Sequence, residues 1–141
     1  MSAPAMDKGA ALLAQLLAAD AAVATVQDNR LLAEAAGGLQ PTALGQALIE
    51  ALQALAVLGQ ADAEVMAVAD ILRRDQKFSP PGRPSLHLVL LRRQQASVQQ
   101  AQRAARQAWA AAAAAFVRQA GWPLKPGIAA TDSLLRWLAK R

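Results

Sequence analysis

From Ser85 to Ala120 the chain runs without a proline or a glycine, and most residues in that stretch are alanine, leucine, glutamine or arginine, all good helix formers. Such a stretch dictates a helix of about 35 residues, or ~50 Å at 1.5 Å per residue, with Ser85 placed to cap it. Any fold must be arranged around so long a rod. The rest of the composition agrees: 37 of the 141 residues are alanine and 21 are leucine, tyrosine is absent and β-branched residues are sparse. The fold class expected is all-α, a helical bundle of about five or six helices with one long helix over 85–120. At this length the whole of 1–141 is expected to form a single helical domain.

Proline, glycine and apolar periodicity divide the remainder. Leu12, Leu16, Ala19, Val23 and Val26 recur at steps of four and three, which predicts an amphipathic helix from about Ala5 that runs as far as Ala36 unless Asp20, Asp28 and Asn29 break it. Gly37-Gly38 is expected to end it in a left-handed conformation. Pro41 then suits the first turn of a leucine-rich helix through Leu44, Leu48, Leu52 and Leu55 to a stop at Gly59. Asp62 is expected to cap a third helix bearing Val65, Met66, Val68, Ala69 and Leu72, closed by Arg73-Arg74. The three prolines and one glycine of residues 76–84 read as a non-helical connector. Trp122-Pro123 and Pro126-Gly127 predict a turn region, and Thr131 a cap for a short last helix carrying Leu134, Leu135, Trp137 and Leu138.

Charge is distributed as unevenly as proline. Residues 1–70 hold eight carboxylates against Lys8 and Arg30, while 71–141 hold thirteen cations against Asp75 and Asp132. The chain therefore reads as an acidic helical half (1–75), the connector (76–84) and a basic helical half (85–141). A field of one sign over so long a stretch bears on what the surface meets, and favours a polyanionic or acidic partner. On a helical wheel Arg92, Arg103, Arg106 and Arg118 project away from Leu91, Val98, Trp109 and Phe116, with Arg93 on the flank. Guanidinium groups along a rod suit a phosphate backbone, where each contact releases counterions without reading sequence. The same face reads alternatively as a solvated surface, or as one that meets the acidic half of this chain or of a second copy.

Other residues point to packing. Trp109 and Phe116 are separated by six alanines, small residues that let another helix approach, so Trp109, Phe116 and Trp137 read as core or interface. The only histidine, His87, falls on the apolar side of the long helix, where a buried or half-buried neutral imidazole is expected. A helix-turn-helix around Gly59 is disfavoured, because Glu64, Met66, Ala67 and Asp70 would occupy the recognition helix. No nucleophile elbow, phosphate loop or metal-ligand spacing is present, and no cysteine, so neither enzyme activity, cofactor nor metal is expected. The longest uncharged run, residues 35–49, is 15 residues and holds three glycines and a proline, short of the ~20 apolar residues that a bilayer span needs. Lys8 and the following GAALLAQLLAA make a poor export signal beside Asp7, and a cytoplasmic location is the expectation.

These readings converge on a non-enzymatic binding or assembly subunit. Its expected partner is nucleic acid, bound without sequence specificity, or an acidic protein. The alternative is a homo-oligomeric helical scaffold or partner-binding chaperone with complementary acidic and basic halves.

Overall fold

Residues 3–18, 25–26, 29–35, 38–78 and 86–140 are described by a computed structural model, in which four α-helices dominate: α1 (Ala3–Leu17), α2 (Ala43–Phe78), α3 (Leu86–Ala120) and α4 (Ala130–Ala139). Four short strands join them in two antiparallel pairs. β1 (Thr25–Val26) pairs with β2 (Asn29–Arg30), and β3 (Leu32–Ala35) with β4 (Gly38–Pro41), Leu32 opposite Pro41 and Ala35 opposite Gly38. The helical class is as expected; four helices stand where five or six were expected, and two short strand pairs occur beside them. The chain divides into two compact units, residues 1–56 with 108–141 and residues 57–107.

The departures have physical causes. The first helix ends at Leu17, and the stretch expected to prolong it supplies strands: Thr25 and Val26 are β-branched, and Asn29 competes for backbone hydrogen bonds that a helix interior needs. Gly38 has the expected positive φ (107°), but it opens β4 and caps no helix. Ala19, Asp20, Val23, Asp28 and Gly37 lie outside the described residues. Gly59 does not stop α2, and Asp62 caps nothing; both lie inside one 36-residue helix that outlasts α3 by a single residue. A lone glycine costs about 1 kcal/mol against alanine in a helix interior. That is small beside the burial of Leu55, Leu58, Ala61, Val68 and Leu72, which continue one stripe across it. Nor does Arg73-Arg74 close the helix: Gln76, Lys77 and Phe78 belong to α2 instead of a connector, because Pro80 restricts only the residue before it. Residues 79–85, Ser85 among them, lie outside the described residues.

In the first unit Thr42, and not Pro41, starts α2. Its hydroxyl accepts the Gly45 N–H at 3.0 Å, the N-cap to N3 bond, while its own N–H donates to the Leu31 carbonyl at 3.0 Å. Gly45 sits so close beneath that a Cβ would stand 1.9 Å from the Leu31 oxygen. Leu48, Ala51, Leu52 and Leu55 are buried, and Gly9 of α1 brings its helix against Leu52, Leu55 and Leu138. The Lys8 ammonium donates to the Ala139 carbonyl at 2.8 Å, neutralising the C-terminal end of α4. That last helix begins after Ala129 with no side-chain cap, so Thr131 lies within it; Asp132 in its first turn offsets the exposed N–H groups. The C-terminal end of α3 is a Schellman turn: Gly121 at φ 68° donates to Arg118, and Trp122 donates to Val117. Trp122 there meets Phe116 and Trp137 with ring centroids 5.3 and 5.9 Å apart.

In the second unit α2 and α3 form an antiparallel pair. Leu72 packs with Leu88 and Leu91, Gln102 Nε2 donates to Asp62 Oδ1 at 2.7 Å, and His87 Nε2 lies 2.7 Å from Asp75 Oδ2. On α3 the buried or half-buried positions are Leu88, Leu91, Gln95, Val98, Gln102 and Ala105, alternating steps of three and four. This is the narrow stripe of a helix with one neighbour. It excludes Leu90, Ala101 and His87, all of which are exposed, although His87 was expected on the apolar side.

The Leu31–Thr42–Gly45 junction yields a prediction. Thr42→Ala should cost about 1 kcal/mol through the lost cap. Gly45→Ala should lower the thermal midpoint further, although alanine in a free helix would raise it. Circular-dichroism melts of the two variants test this, and a Gly45→Ala protein as stable as the parent would refute the close approach.

Candidate functional site

The net charge of the two units singles out one of them. Residues 57–107 hold eight cations against Asp62, Glu64, Asp70 and Asp75, whereas the other unit holds seven against six. The surplus positive charge thus belongs mostly to the unit that contains the α2–α3 pair.

Within that pair Arg92, Arg103 and Arg106 share a flank of α3. They lie 11 and 14 residues apart along the helix, which at 100° per residue keeps them within an arc of about 60° and a length of about 21 Å. Gln99, seven residues from Arg92, falls in the same arc and adds a carboxamide donor. All four are exposed. Arg93 is exposed too, but lies about 100° round from Arg92 and outside the stripe. Arg118 belongs to the other unit, where it is exposed in the last turn of α3 and complements the helix C-terminus. The five arginines singled out in the sequence therefore resolve into a stripe of three, one about 100° round from it and one in the other unit.

Charge pairing decides whether the stripe is available. Among the described residues none of Arg92, Arg93, Arg103 or Arg106 makes an ion pair; the pairs formed are Arg73 with Asp70, within α2, and His87 with Asp75. The carboxylate that α2 brings to the level of Arg103 is Asp62, and Gln102 holds it. Asp62 is thus engaged by a neutral amide and not by a guanidinium group. The arrangement presents positive charge with fork-like donors.

The remaining singled-out residues are structural in position. Trp109 and Phe116 are 4% and 2% exposed, and Trp137 is half-buried in the aromatic cluster, Phe116 and Trp137 having ring centroids 6.2 Å apart. His87 is not the buried imidazole expected: its side chain is 66% exposed and faces Asp75 across the pair. That partner was hidden because it is twelve residues away on another helix. Among the described residues no three His, Cys, Asp or Glu side chains gather as a metal site would need, and no helix is long and apolar enough to cross a membrane. Comparisons with protein-family models, curated proteins and solved structures find no match for this chain.

The Asp62–Gln102 bond carries its own prediction. Gln102→Leu should destabilise the protein by roughly 1 kcal/mol, since a half-buried carboxylate loses its donor. Adding Asp62→Leu should restore the loss, because replacing both partners by apolar groups removes the unsatisfied acid. Urea midpoints of the single and double variants decide it, and a double variant no better than the single one would count against the seam polar layer.

Proposed function

We propose that the protein is a non-enzymatic binding subunit that holds a polyanion, nucleic acid in the first instance, along the Arg92–Gln99–Arg103–Arg106 flank of α3. The observation that carries this reading is the exposure of three guanidinium groups in one arc with no ion pair, beside an acid already held by Gln102. Contacts of this kind go to phosphate oxygens and set position without base readout, so binding is indifferent to sequence. One flank of about 21 Å addresses a few phosphates, which gives modest affinity that is steeply dependent on salt.

The test is Arg103→Gln with Arg106→Gln, which keeps helix propensity and removes two charges. Affinity for duplex or single-stranded nucleic acid, followed by fluorescence anisotropy over a salt series, should fall, and the slope of log K against log salt should shrink by roughly one to two units. The thermal midpoint should hardly move, since exposed charges contribute little to stability. Unchanged binding would refute the assignment; an earlier melt or lost oligomeric order would instead favour a scaffold in which these arginines pair with acids of another copy.

A further inference from the structure

A second set of stripes lies on the other flank of the α2–α3 pair. On α3, Leu86, Leu90, Gln94, Ser97, Ala101 and Ala104 repeat at steps of three and four, fall within about 80° of arc and are all exposed. Leu86 and Leu90 are 75% and 52% exposed, and no charged side chain lies in the stripe. On α2 the matching flank carries Gln60, Glu64, Ala67, Ile71 and Arg74 at the same alternating steps, again all exposed. The Gln60 amide donates to Glu64 at 3.2 Å, as neighbours on one stripe should. Two parallel rows with coiled-coil spacing make a face that one more helix pair would cover.

We infer that this face binds a second copy of the chain, two α2–α3 pairs packing antiparallel into a four-helix bundle. The argument is self-complementarity, which a two-fold interface requires. With the axis midway between Gln94 and Ser97, the large Leu90 of each copy meets the small Ala101 of the other, and Leu86 meets Ala104. The Asp62–Gln102 and Asp75–His87 contacts set the level of α2, and they place Ala67 at that same axis, where a small residue lets the two α2 helices approach. Glu64 of one copy then lies within a turn of Arg74 of the other, opposite charges at the rim on both sides of the axis. Arg93, about 60° round from Leu90 and about 20° beyond Leu86 and Ala104, falls at the edge of this face. The Arg92–Arg106 stripes remain outside, on opposite faces of the dimer.

Light scattering over about a hundredfold dilution series should show a dimer that dissociates at the dilute end. Leu90→Glu should be monomeric with its helical content retained, since residue 90 is exposed within one copy. Because the chain has no cysteine, Leu90→Cys and Ala101→Cys proteins can be mixed and oxidised. The mixture should yield 90-to-101 crosslinks, whereas two copies of residue 90 would be about 16 Å apart along the axis. That is far beyond the roughly 7 Å limit for a disulfide. A monomer at every concentration, a Leu90→Glu protein that stays dimeric, or crosslinks chiefly between like positions would each overturn the proposal.

Discussion

Everything the α2–α3 pair presents follows from the narrowness of its seam. Two helices in contact bury one stripe each, here Leu58, Ala61, Val68 and Leu72 against Leu88, Leu91 and Ala105. The remaining arcs of both helices face outward. A wider apolar face would have drawn Leu90 and Ala101 inside and left less of α3 for charge. The seam also contains a polar layer, Gln102 on Asp62. A part-buried polar contact is worth little stability against an apolar isostere, but it penalises every register that separates the two groups. Fixing the register fixes which carboxylates meet which cations, and hence which arginines stay unpaired.

Charge in the sequence and charge in the folded chain are different distributions. Read linearly, the first seventy residues are strongly acidic and the rest strongly basic. Folding regroups them, because residues 1–56 share a unit with 108–141 and the two charges there nearly cancel. The excess survives where α2 and α3 pair. The folded distribution is the relevant one for a partner, since screening reduces interactions between exposed charges beyond about a Debye length, roughly 8–10 Å.

The long C-terminal helix, the turn region after it and the leucine stripe at Leu48, Leu52 and Leu55 were legible because each rests on a local signal: absent breakers, paired Pro and Gly, or apolar period. Gly59 misled because a single glycine is a weak stop whose effect depends on what the helix beyond it buries. Thr42 was missed beside the more conspicuous Pro41, although a threonine just ahead of an apolar-periodic stretch is itself a cap signal. Of the candidate site, the exposure of the arginines was legible from α3 alone. The division among them was not, since it depends on where α2 lies, and neither was the Gln102–Asp62 bond, forty residues apart in sequence.

The composition of α3 itself bears on why its cations stand alone. Arg103 and Arg106 are one turn apart, and like charges at that spacing cost a helix a few tenths of a kcal/mol, about what a Glu–Lys pair would have contributed. No carboxylate occurs between Asp75 and Asp132 to offset it. Ala96, Ala101, Ala104, Ala105 and Ala108 supply the missing stability by intrinsic propensity, each worth up to about 0.7 kcal/mol against an ordinary residue. Alanine does so without adding a charge, a polar group or bulk to either flank. A helix stabilised in this way needs no carboxylate beside its guanidinium groups, and its opposite flank stays small-sided at Ser97, Ala101 and Ala104.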